Sequence, residues 1–181
     1  RARVLAIHTD EAADMPGVVH ILTADDIPGE RVLGLYAKDW PVYIKVGEIT
    51  RYIGDALACV VAETEAEARA AAACVKVDYE VLTPLLDMEE AETSPIHIHE
   101  NGNILLDKTI RRGEPVDEAL ARCAFTAEAT YRTQAVEHAF IEPEATLAVP
   151  EAGGVRLYVQ SQGIWHDKTD IAALLHVPTP K

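Results

Sequence analysis

Residues 56–62, ALACVVA, form an apolar run without charge, short enough for a strand and too uniform to offer a solvated face. The run predicts a buried central strand. Thr64 and Glu67 follow at capping-box spacing, where a hydroxyl and a carboxylate satisfy each other's backbone amides at the start of a helix. In that helix Ala66, Ala70, Ala73 and Cys74 fall on one stripe of small residues expected to face inward, and Glu65 and Arg69 make an i,i+4 pair on the other side. Val75, Val77 and Tyr79 then alternate with Lys76, Asp78 and Glu80, the two-residue period of a strand with one wet face. Residues 50–80 therefore read strand, helix, strand, with the helix a crossover laid on a sheet.

Around this unit the pattern is shorter-ranged. Residues 2–7 read as a strand, 10–15 as one or two helical turns closed by Pro16-Gly17, and 18–22 as a second strand. Residues 23–29 are a turn with Thr23 or Asp25 capping and Pro28-Gly29 punctuating, and 30–47 an irregular insertion or long loop. Residues 82–93 hold a turn at Pro84 and a short acidic helix, and 94–103 (SPIHIHENGN) a linker. Beyond it 104–110 is extended, and Pro115 suits the first position of a helix whose stripe is Val116, Ala119, Leu120 and Cys123. Residues 126–136, 145–149 and 155–160 alternate with period two, the last two joined by PEAGG as a hairpin beside a third strand. Residues 167–175 form a closing helix, capped by Asp167, with Ile171, Leu174 and Leu175 inward.

At 181 residues the chain has room for one domain and part of another. Apolar residues at 49% and charged residues at 25% are globular values, and no apolar run reaches the roughly 18–20 residues of a membrane span. A soluble protein without a membrane partner is expected. The charge of −14, from 30 acidic and 16 basic residues, opposes binding to nucleic acid, with only Arg111-Arg112 as a basic pair. Cys59, Cys74 and Cys123 are odd in number and widely spaced within apolar patterns, which predicts reduced core thiols and a cytoplasmic setting. The chain opens at Arg1 inside a strand pattern and stops at VPTPK directly after a helical one, so both ends look cut from something larger.

Candidate chemistry is sparse. His97, His99 and Glu100 are the densest potential metal ligands, but no third or fourth partner lies nearer than His8 or His138, so exposed linker residues are expected. Glu137, His138 and Glu142 could do acid/base work, yet neighbours on a strand point to opposite faces. There is no G-x-S-x-G, phosphate loop, dinucleotide fingerprint or H-E-x-x-H. From the residues alone there is no catalytic set and no metal site.

Four segments in order resemble the large, molybdenum-binding subunit of the xanthine dehydrogenase and aldehyde oxidase family: RARVLAIHTDEAADMPGVVHILTADDIPG, RYIGDALACVVAETEAEARAAAACVKVDYEVLTPLLDMEEA, YRTQAVEHAFIEPEATLAV and LYVQSQGIWHDK. The resemblance implies an α+β architecture: an α/β hammerhead domain over residues 1–92, a linker over 93–103, and the N-terminal part of a molybdopterin-binding domain over 104–181. It also implies hydroxylation of a carbon beside a heteroatom, with water as the oxygen source and a molybdenum-pterin cofactor taking the electrons. Iron-sulfur clusters and FAD on other domains or subunits would carry them away. In the family the glutamine of a segment like SQG lies beside an oxo ligand of the metal, which makes Gln162 the expected cofactor-binding residue. The family's glycine-rich cofactor segment and late base glutamate have no counterpart before Lys181, so this stretch is expected to be inert by itself.

The insertion KDWPVYIKVGEIT is similar to that of selenium-dependent purine hydroxylases, implying a purine or related N-heterocycle as substrate and a homo-oligomer when full length. Three alternatives stand beside this reading: an aldehyde-oxidising member of the family, a non-catalytic assembly or binding module, and a metal-binding regulator acting through His97 and His99.

Overall fold

The computed structural model describes residues 1–179, so the chain end expected at Pro180-Lys181 lies outside the described residues. Strand β1 (Ala2–His8) pairs antiparallel with β6 (Lys76–Val81), Ala2 opposite Val81 and His8 opposite Lys76, with an irregularity between Val4 and Ala6. The other side of β1 is met by irregular chain: Val4 N–H donates to Glu48 O, Gly47 N–H to Val4 O and Thr50 N–H to Ala2 O. Val4, held between the two, is 1% exposed. Strand β2 (Val18–Thr23) pairs antiparallel with β5 (Ala58–Ala62).

Helices α1 (Asp10–Ala13) and α2 (Glu65–Ala72) pack on each other and on the β2–β5 ladder. Buried Ala12 and Ala71 let the helices approach closely. The capping box forms as the spacing requires: Glu67 N–H donates to Thr64 Oγ1 (3.3 Å) and Thr64 N–H to Glu67 Oε2 (3.1 Å). Arg69 Nε meets Glu65 Oε1 at 2.8 Å.

Three expectations change here. The strand of the apolar run spans Ala58–Ala62 and is not central: β5 has one ladder partner, and Cys59 and Val61 are exposed because α2 covers a single face. Strand β6 leaves that ladder to join β1, so the helix connects two separate ladders. The inward stripe of α2 is also rotated from the expected one. Ala71 is buried and Glu67, Ala68 and Cys74 are half-buried, while Ala66, Ala70 and Ala73 are exposed. The capping box sets this phase, because it ties Glu67 down beside Gly17, where a Cβ would collide with the Glu67 carboxylate.

The supposed insertion is part of the core. Strands β3 (Val32–Leu33) and β4 (Trp40–Pro41) make a short antiparallel hairpin, and Ile44, 1% exposed, donates its N–H to Ala56 O at 2.8 Å. Arg31 fastens it, donating to Tyr43 O (2.8 Å) and in a fork to Glu48 Oε2 (3.0 Å) and Oε1 (2.5 Å).

Helix α3 (Met88–Thr93) is capped by Asp87, and residues 94–103 fold around Asn103. Its Oδ1 accepts from Ile98 N–H at 2.8 Å, and its Nδ2 donates to Ala91 O and Ile96 O, both at 2.9 Å. Past this point the chain is open. Helix α4 (Val116–Ala121), with Pro115 one position earlier than expected as its cap, buries no residue, and 126–136 is irregular instead of a third strand. Strands β7 (Thr146–Glu151) and β8 (Gly154–Val159) form the expected hairpin, turning at Ala152-Gly153. Helix α5 (Ile164–Leu174) starts three residues before Asp167, with Gly163 as its cap. Among the described residues no helix is long and apolar enough to cross a membrane.

Candidate functional site

Gln162 stands where β8 ends and α5 begins, a junction made by two local hydrogen bonds. Ser161 Oγ accepts from Gly163 N–H at 2.9 Å and bends the chain, and Gly163 O accepts from His166 N–H at 2.8 Å in the first helical turn. The Gln162 side chain is exposed and hydrogen-bonds to nothing among the described residues, so both amide protons are free to donate. Two positions earlier, Gln160 faces back along the hairpin, its Oε1 accepting from Ala145 N–H (3.2 Å) and its Nε2 lying 3.5 Å from Glu142 Oε2. Trp165, on the first turn of α5, is exposed with Lys168 Nζ 4.8 Å from its ring centre. The arrangement is an exposed amide donor at the β8–α5 corner, three residues before an exposed indole.

Glu137 and His138 do not oppose each other across a strand, because no strand forms there. His138 Nδ1 lies 4.0 Å from Glu137 Oε1 in open chain, and its ring stacks on Phe140 at 5.6 Å between centres. Both side chains are solvated, so the ion pair is screened and weak.

His99 is half-buried, not a free linker residue. Its Nδ1 sits 2.7 Å from Asp39 Oδ2 but out of hydrogen-bond alignment, and it lines a cleft of about 1000 Å3 between the first segment and the 97–105 strip. Arg1, Arg3, Lys38 and Arg51 share that cleft with Asp39, Glu48 and Glu100; Gln162 does not. His8 is held by Asp78 at 2.8 Å, and no group of three metal-ligating side chains forms among the described residues.

The cysteines are free thiols, but Cys59 and Cys123 are exposed and only Cys74 is half-buried, against the core placement expected of all three. Burial and the neighbouring Cys59 push the Tyr43 phenol up to about 12, so Tyr43 stays protonated and offers no base. Burial would raise the Glu48 carboxyl, but Arg31, the Lys45 amide and Arg51 outweigh it and hold the group below the ordinary value of 4.5.

Pattern reading missed Asn103 and Gly29, which tie the linker and α5 in place. Asn-Gly-Asn and Pro-Gly signalled turns at both positions but not the long-range partners.

Residues 1–83 match the family described as aldehyde oxidase and xanthine dehydrogenase, a/b hammerhead domain, and residues 96–181 match the molybdopterin cofactor-binding domain. Over 99% of its length the chain is 33% identical to a probable xanthine dehydrogenase subunit of Bacillus subtilis (strain 168), covering 24% of that protein. It is also 33% identical to the nicotinate dehydrogenase large molybdopterin subunit of Eubacterium barkeri, over 99% of this chain and 42% of that protein. The aldehyde oxidoreductase of Desulfovibrio gigas superposes over 98% of this chain and 21% of its own, with a TM-score of 0.86 at 28% identity. The chain thus spans less than half the length of these relatives. With a hammerhead domain followed by a molybdopterin cofactor-binding segment, the chain belongs to the aldehyde oxidase and xanthine dehydrogenase family of molybdopterin oxidoreductases.

Proposed function

We propose that the protein of which these residues are a part hydroxylates a purine or related N-heterocycle, taking the oxygen from water, and that Gln162 contacts its molybdenum-pterin cofactor. The carrying observation is the free, solvent-facing amide of Gln162 at the β8–α5 corner, inside the segment that matches the cofactor-binding domain. A neutral amide donor suits an electron-rich oxygen without adding charge, and the corner holds it on ordered backbone. The residues described fit the group in that one contact. They do not enclose it, since the 104–160 stretch is almost wholly exposed. The cofactor supplies the two-electron oxidation when bound, and this chain supplies orientation through Gln162.

Two relatives at 33% identity are named for xanthine and nicotinate, both nitrogen heterocycles, which supports that class, and the likeness to the Desulfovibrio gigas aldehyde oxidoreductase keeps aldehyde oxidation as the alternative. Selenium dependence is the finer form of the purine reading and rests on the 38–50 segment; elemental analysis of the full-length protein tests it. Residues 1–92 act as the hammerhead domain and 93–103 as the linker. Iron-sulfur and FAD domains or subunits take the electrons, and the assembled enzyme is a cytoplasmic homo-oligomer. Residues 1–181 alone do not turn over substrate.

Purified full-length protein, assayed with a dye acceptor, is expected to oxidise xanthine, hypoxanthine or nicotinate. Turnover of aldehydes alone would reject the N-heterocycle choice. Gln162→Ala is expected to lower kcat by about 10–100-fold with molybdenum content retained. An unchanged kcat removes Gln162 from the site. The rival reading, an assembly module without chemistry, is supported if the full-length protein contains no molybdenum.

A further inference from the structure

The last carbonyls of a helix need partners from outside it. In α5 some come from the chain that follows: His176 N–H donates to Ala173 O (3.2 Å) and Val177 N–H to Ala172 O (3.0 Å), with His176 left-handed at φ 53°. Others come from the opposite end of the sequence. Gly29 N–H donates to Leu174 O at 2.9 Å, and Glu30 N–H to Ala173 O at 3.0 Å.

A Cβ on Gly29 would fall inside van der Waals contact of both carbonyl oxygens and of His176 N. Gly29 does not have a positive φ, so glycine is needed here for the close approach and not for backbone conformation. Beside this contact Lys38 Nζ lies 2.5 Å from Glu30 Oε2. Ala172, 6% exposed, is the single fully buried residue beyond Ala71 among those described. Among the described residues beyond 104, those of α5 are the ones whose backbone carbonyls accept from the first segment.

We propose that the Pro28-Gly29-Glu30 turn clamps the C-terminal end of α5, and that Gly29 is thereby a positioning residue for Gln162 at the helix's other end. The part concerning Gln162 rests on the functional reading above. Helix α5 is a rod of about 16 Å at 1.5 Å per residue, and a packed rod transmits a shift at one end to the other. The clamp makes the first segment part of the cofactor site without touching the cofactor.

The test uses the full-length, cofactor-loaded protein and two readouts besides turnover: residue-resolved hydrogen exchange, and the EPR spectrum of the partly reduced molybdenum centre. In the unmodified protein the Gly29 and Glu30 amides are expected to exchange slowly although they lie outside any strand. Fast exchange there overturns the clamp even if variants fail to fold. Gly29→Ala is expected to speed exchange at 29–30 and in the last two turns of α5 at least tenfold, and to shift the EPR spectrum as Gln162→Ala does. Gly154→Ala, with open space around its Cβ, should do neither. Unchanged exchange in α5 of Gly29→Ala overturns the clamp. A loosened helix with an unshifted spectrum, where Gln162→Ala shifts it, overturns the positioning of Gln162. If Gln162→Ala itself leaves the spectrum unchanged, the functional reading of Gln162 fails while the exchange data still decide the clamp.

Discussion

Gly17 carries two constraints at once. Its φ of 79° lies in the left-handed region, and a Cβ there would strike the Glu67 carboxylate that closes the cap of α2. Gly17→Ala is therefore expected to destabilise the α1–α2 region by roughly 1–2 kcal/mol or more, read as faster native-state exchange across residues 64–72. His176 is the opposite case, a non-glycine residue at the left-handed end of α5. His176→Gly should leave the last turn of α5 as protected as before or slightly better, and His176→Val should open it, because a β-branched side chain is poorly tolerated there. Glu48 gives a pH signature. Its folded pKa is depressed below 4.5, so its contribution is present above that value and is lost as pH falls through the folded pKa. Acid unfolding of Glu48→Gln should accordingly show a shallower pH dependence below about pH 4.5 than the parent; equal slopes would mean the Arg31 fork contributes nothing.

At the scale of elements, the cap of α2 was written in Thr64 and Glu67, and Thr64→Ala is expected to cost about 1 kcal/mol, seen as lost protection in residues 65–68. Caps, the β7–β8 hairpin turn and the positions of β1, β2 and β6 along the chain were legible because each depends on residues a few positions apart, whereas which strands pair in the first segment was not. The β7–β8 hairpin, the strand at β1 and the Thr23 cap of the 3-10 turn at Ala24–Asp26 follow from such local rules. What spacing did not reveal is which face of an alanine-rich helix turns inward. Ala66 and Ala71 are chemically alike, and the choice was made by the distant Gly17 turn. Ile44 was hidden for a related reason: an isolated core residue just past the two-residue strands β3 and β4 has no period to display. Gln162 is proposed from the resemblance carried by its SQG setting, whereas the Gly29 hydrogen bonds join two segments that meet only in the folded chain.

For the whole molecule, the contrast between its halves decides what it can be. The first segment buries Val4, Ala12, Ala24, Ile44 and Ala71, enough to fix two ladders and two helices. The second leaves Phe125 at 94%, Ile141 at 98% and Trp165 at 70% exposure, far beyond the scattered apolar residues a monomer surface carries. Like charge opposes association here, since the 13 residues from 133 to 145, TQAVEHAFIEPEA, hold three carboxylates and no lysine or arginine, but the apolar side chains beside them are too exposed for that repulsion to offset. Residues 1–181 expressed alone are thus expected to bind a hydrophobic dye such as ANS strongly and to self-associate. A chain ending near residue 92 should do so far less, and the full-length protein not at all. A monomeric, dye-silent 1–181 chain would mean that residues 104–145 bury their apolar side chains internally, and that the second segment is closed rather than open.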